Sequence, residues 1–87
     1  MKLLEQPSLI RKADKKPTLK EMQEFVEGYI ELIALPDGRD MIINEEGKIT
    51  GLPENIEATI IFRKAFPYTS DWIAGNVMLL KGKAKLD

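Results

Sequence analysis

Residues 28–50 read GYIELIALPDGRDMIINEEGKIT, and the fold class rests on how this stretch is read. Tyr29 to Leu35 is a β-rich run, Pro36-Asp37-Gly38-Arg39 is a turn, and Met41-Ile42-Ile43 is the returning strand. Asp-Gly between apolar runs is among the strongest hairpin signals in a short sequence. A second bend, Asn44-Glu45-Glu46-Gly47, leads into Lys48-Ile49-Thr50, expected as a third strand. Gly47 is expected to supply the positive φ of a type I turn with a bulge. In the first run Ile30, Leu32 and Ala34 share one face, with Tyr29, Glu31, Ile33 and Leu35 on the other. Glu31 among apolar neighbours implies that one side of the sheet is partly open.

Upstream, Thr18 opens a helix as its N-cap, and Glu21 completes a capping box. Leu19, Met22, Phe25 and Val26 recur at helical spacing, while Lys20, Gln23, Glu24 and Glu27 face outward. Gly28 stands where a left-handed C-cap belongs, so the helix is expected over Leu19 to Glu27. Residues 1–16 read as irregular or as an edge strand. Pro7 separates Met1-Lys2-Leu3-Leu4-Glu5 from Ser8-Leu9-Ile10-Arg11-Lys12, and proline is confined to edges and bulges.

Downstream, residues 54–65 are open between helix and strand. Pro53 and Glu54 are good first-turn chemistry, whereas Ala58-Thr59-Ile60-Ile61-Phe62 is β-branched and aromatic. The balance favours a helix from Glu54 to Ala65. Phe66 to Asp71 reads as a loop, and Trp72 to Lys81 as a last strand, apolar enough to be central and buried on both faces. Gly75 inside it marks a bulge or the close approach of another backbone. Residues 82–87 read as a frayed tail. Together these elements predict one small α+β domain over residues 1–87. Its sheet is mainly antiparallel, with four to five strands and one or two helices packed on one face.

Eighty-seven residues suit a single domain. The formal net charge of −1 hides an uneven distribution: residues 1–20 carry +4, residues 21–60 carry −8, and residues 61–87 carry +3. A solvated acidic face explains the middle block. An acidic surface that repels nucleic acid or engages a basic partner is the sharper reading. The start of the chain lacks the apolar core of a signal peptide and no stretch approaches a membrane span, so a cytoplasmic protein is expected.

Reactive groups are scarce. The chain has no histidine and no cysteine, which removes the commonest general base and the thiol nucleophile. Ser8 and Ser70 lie in no nucleophile elbow, and Gly47-x-x-x-Gly51 lacks the lysine of a phosphate cradle. Asp37, Asp40, Asn44, Glu45 and Glu46 sit in neighbouring turns, but turn conformation alone selects such residues and their spacing is not that of a calcium loop. No catalytic residue, metal site or cofactor is expected, and the protein is read as not an enzyme. Arg11, Lys12, Lys15, Lys16 and Lys20, with Lys81, Lys83 and Lys85, are the cations available to phosphates. The aromatics lie elsewhere and the pI is about 5.5, so nucleic acid is an unlikely partner.

The aromatic group Phe66, Tyr68 and Trp72 around Pro67 either seals one end of the core or anchors a protein partner. With Tyr29, these are the candidate binding residues. Surplus apolar sheet surface would also be covered in a homodimer. A second function class is a sequestering protein for a small ligand or nucleotide, with a cleft between the helix face and Tyr29.

The runs Thr18-Leu-Lys-Glu-Met-Gln-Glu-Phe-Val-Glu-Gly-Tyr-Ile-Glu, Asp37-Gly38, Ile43-Asn-Glu-Glu-Gly-Lys and Gly51-Leu-Pro-Glu-Asn resemble a family of small phage and bacterial proteins, a domain of unknown function. Asn55-Ile-Glu-Ala-Thr and Ile73-Ala-Gly-Asn-Val look like its closing half, so the resemblance spans residues 18–80. It implies a phage or mobile-element origin and hence the cytoplasm of a host cell. It assigns no activity and carries over no catalytic residue. The function expected is that of an accessory protein that binds a host protein or itself.

Overall fold

The computed structural model describes residues 8–86. The elements run β1 (Ile10–Ala13), α1 (Leu19–Val26), β2 (Ile30–Ala34), β3 (Asp40–Asn44), α2 (Ile56–Ala65) and β4 (Val77–Leu80), followed by a 3-10 turn at Gly82–Ala84. The four strands form one open sheet in the order β1-β4-β3-β2. β2 pairs antiparallel with β3 and β3 with β4, while β1 runs parallel to β4 with Ile10 opposite Val77 and Ala13 opposite Leu80. This is the α+β class the sequence predicts, with β1 at an edge and β4 central. The expected strand piece Met1–Glu5 lies outside the described residues, as does Asp87 at the end of the expected frayed tail.

Both helices are where their punctuation puts them. The Thr18 N–H donates to Glu21 Oε1 at 2.9 Å and the Glu21 N–H donates to Thr18 Oγ1 at 3.1 Å, a reciprocal capping box. The helix option for residues 54–65 prevails, with Asn55 rather than the Pro53–Glu54 step at its start; Asn55 Oδ1 accepts from the Ala58 N–H at 3.0 Å.

The helices divide between the two faces of the sheet instead of sharing one. Met22 and Val26 of α1 pack with Ile42, Met78, Leu80 and Ala84 on one face. Ala58 of α2 packs with Leu35, Met41, Ile73, Val77 and Leu79 on the other. The cause is legible in β3 and β4, which are apolar at consecutive positions and need cover on both sides.

Three local expectations are corrected. The first concerns the left-handed residue ending α1, which is Glu27 (φ 69°) and not Gly28. Gly28 is fixed for another reason: a Cβ there would lie 2.7 Å from Asn44 Nδ2. Second, Lys48-Ile49-Thr50 is not a strand. Residues 45–51 form successive turns closed by Thr50 N–H to Glu46 O (2.9 Å) and Leu52 N–H to Gly47 O (2.8 Å). The positive φ falls at Gly51 and not at Gly47, whereas the bulged turn lies in the β2–β3 hairpin, with Gly38 at φ 95° and the Leu35 N–H donating to Arg39 O. Third, the last strand begins at Val77, not Trp72. Residues 72–76 spend their backbone groups on a bridge between Glu54 and Ala74 and on Thr59 Oγ1, which accepts from the Ile73 N–H at 3.0 Å.

Candidate binding groove

The α2 face of the sheet is not fully covered. Between the turn at residues 44–49 and the segment 71–74 lies an open groove of about 410 Å³. Ile33 and Ile43 of the β2–β3 hairpin, Phe62 of α2 and Ile73 supply its apolar surface. Glu31, Glu45 and Glu46 supply a negative rim.

The two walls are held by polar side chains. Asn44 Oδ1 accepts from the Glu46 N–H at 2.7 Å while its Nδ2 donates to Val26 O at 3.0 Å, so one asparagine shapes the turn and ties it to α1. Gly47 is buried against the other wall, where a Cβ would stand 3.2 Å from Ala74 O. On that wall Arg63 donates from Nε to Asp71 O and from its terminal nitrogen to Ser70 O, both at 2.9 Å. Lys48 closes the gap by pairing with Asp71, and its ammonium lies 5.0 Å from the centre of the Trp72 ring. The Lys48 bond is the main reason the Asp71 carboxyl titrates below its ordinary range, helped by the Trp72 N–H.

The four residues singled out from the sequence do not form one patch. Trp72 is half-buried in the groove wall beneath Lys48. Phe66 is packed in the α2-face core, its ring 5.2 Å from that of Phe62. Tyr68 is fully exposed (101%) and Tyr29 is 70% exposed at the head of β2, where its carbonyl accepts from the Glu45 N–H at 2.9 Å. Met22 and Val26, the face of α1 on which a cleft beside Tyr29 would depend, are buried in the core. The turn carboxylates separate as well: Asp37 is bound to Arg39 (2.8 Å), Asp40 is buried and accepts from the Leu86 N–H, and Glu46 is at the opposite end of β3. Among the described residues no three metal-capable side chains gather. Glu31, Lys48 and Phe62 escape a reading by motif because the groove assembles from β2, a turn and α2.

A second feature adjoins the groove. β2 is an edge strand, and its ladder to β3 is framed by the Glu45 N–H to Tyr29 O and the Leu35 N–H to Arg39 O bonds. In an antiparallel pair, alternate residues bond inward. Tyr29, Glu31, Ile33 and Leu35 therefore face β3, and the N–H and C=O groups of Ile30, Leu32 and Ala34 face outward. Leu32 is 43% exposed there.

These features define a small open-sheet α+β protein with an open, acid-rimmed groove on its α2 face and β2 at one edge of the sheet. The chain belongs to the family described as Domain of unknown function (DUF3846), whose model matches residues 3–85. No curated protein and no solved structure matches it.

Proposed function

We propose that this is a non-catalytic, phage-type accessory protein of the host cytoplasm that acts through protein contact, and that the first contact is with a second copy through β2. The observation that carries this reading is the edge of β2, which pairs with no second strand among the described residues. An exposed edge offering Ile30, Leu32 and Ala34 is a template for another strand unless charges or bulges blunt it. The other edge, β1, is blunted by Arg11 and Lys12; β2 has only Glu31.

A second copy fits this edge in a definite register. With Leu32 opposite Leu32 across a two-fold axis, Ile30 meets Ala34 and every outward N–H and C=O finds a partner. Glu31 then lies opposite Ile33, so the two acidic side chains do not collide. The antiparallel arrangement also sets each copy's acidic end, with Glu45 and Glu46, beside the other's end carrying Arg39. Among the described residues no helix is long and apolar enough to cross a membrane, which agrees with action in solution.

Size-exclusion chromatography with light scattering tests the reading. The expected result is a dimer that Leu32→Lys converts to a monomer. Leu32→Pro is expected to do the same without cutting the β3 ladder, because the lost N–H points outward. A wild-type monomer at high concentration, or a dimer unaffected by both changes, overturns it. A host protein offering an extended basic segment is the second reading, favoured by the Glu31, Glu45 and Glu46 rim beside the same edge.

A further inference from the structure

A second groove, of about 590 Å³, opens at the end of the sheet where β1 and β4 finish. Because these strands are parallel, the segments after Ala13 and after Leu80 leave from the same end. Lys12 is paired with Leu79, and Lys81 is the next position on that face; extending the β3–β4 register one step sets Arg39 opposite Lys81. Lys12, Arg39, Lys81 and Lys83 line the groove, accompanied among the described residues by one carboxylate, Asp14. Among the described residues, Arg39 is ion-paired with Asp37 at 2.8 Å, and no ion pair involves Lys12, Lys81 or Lys83. Three separate stretches of sequence thus deliver positive charge to one concavity, and nothing in the fold requires it.

We infer that this groove binds a compact polyanion carrying two or three linked phosphates. Asp37 and Asp14 relieve only part of the mutual repulsion among the four lining cations, and a bound anion relieves more of it. The size falls in the range of small-ligand sites, roughly 300–1,000 Å³. The lining holds no aromatic side chain on which a base would stack, so the phosphates themselves are the recognised group, with Arg39 and the lysines donating charge-assisted hydrogen bonds. Single-stranded nucleic acid is disfavoured because its binding relies on aromatic platforms and the described lining supplies none.

Calorimetric titration of the full chain with inorganic tripolyphosphate, ATP and a short DNA duplex tests the inference. Saturable binding of tripolyphosphate, one per chain, is expected. Lys81→Gln and Lys12→Gln should each weaken it about five- to ten-fold, in line with the loss of one charge-assisted bond. Asp14→Asn should tighten it, and Lys64→Gln, outside the groove, should leave it unchanged. Similar affinities for tripolyphosphate and ATP support a free oligophosphate; tighter ATP binding supports the same phosphate chain presented on a nucleotide. The inference is overturned if tripolyphosphate does not saturate, if the groove variants bind like wild type, or if the DNA duplex binds more tightly than tripolyphosphate.

Discussion

At the scale of single residues, Asn55 and Asn76, like Asn44 at the groove, make bonds that helices and strands leave unmade. Asn55 is 1% exposed; it caps α2 through Oδ1 and donates from Nδ2 to both Leu9 O (3.1 Å) and Gly75 O (2.9 Å). Asn76 accepts from the Leu9 N–H at 2.8 Å and donates to Phe25 O at 3.0 Å, linking β1, α1 and the start of β4. Asn55→Ala is expected to cost about 2–4 kcal/mol, since it removes a cap and takes the donor from the buried Gly75 carbonyl, while Leu9 O keeps the Val77 N–H; chemical denaturation measures it. The exposed carboxylates behave differently. The Thr18 backbone N–H, then its hydroxyl, hold Glu21 below its ordinary pKa, and the Arg39 side chain, then its backbone N–H, do so for Asp37. A lowered folded pKa means that the stabilisation is complete above the ordinary carboxylate range near pH 4 and is lost as pH falls through the lowered value. An NMR titration should show Glu21 below a free glutamate in wild type and back towards it in Thr18→Ala, with α1 fraying at its start.

At the scale of elements, the hairpin, both helices and the central burial of β4 follow from local chemistry. Asp37-Gly38 is a turn whatever surrounds it, the Thr18–Glu21 box is self-contained, and four consecutive apolar residues in β4 have nowhere to go but between two layers. The misreadings have the opposite character. Gly28 and Gly47 look like turn glycines, yet Gly28 makes room for Asn44 and Gly47 for Ala74; Gly75, read as a bulge or a close backbone approach, stands at φ 85° with the Leu52 side chain against it. Such reasons live in neighbours distant in the chain. The groove is equally hidden, since β2, the 44–49 turn and α2 meet only after the sheet forms. Of the four aromatics chosen from the sequence, only Trp72 was drawn into it, because Phe66 was needed in the core. Met78→Ala, which empties a fully enclosed position between α1 and the sheet, is expected to lose about 2–4 kcal/mol; Ile60→Gln on the outer side of α2, 51% exposed, should change stability by no more than about 0.5 kcal/mol. Thermal denaturation of the pair checks whether the layer assignment is right.

At the scale of the whole molecule, charge is sorted along the strands. One end of the sheet presents Glu45, Glu46 and Glu54 with Lys48, and the other Lys12, Arg39, Lys81 and Lys83 with Asp14, Asp37 and the buried Asp40. Strands of this length span roughly 17 Å, about twice the screening distance of about 8 Å at physiological salt, so the two ends are largely screened from each other despite the near-zero net charge. The parallel pairing of β1 with β4 has a further consequence. Synthesis delivers β1 before α1, β2, β3 and α2, and β4 after them, so β1 waits for every element between before it meets its neighbour, Leu9 O accepting from Val77 N–H. β3 waits likewise for its second neighbour. The nascent chain is thereby left as a hairpin and two amphipathic helices with uncovered apolar sides until β4 has emerged.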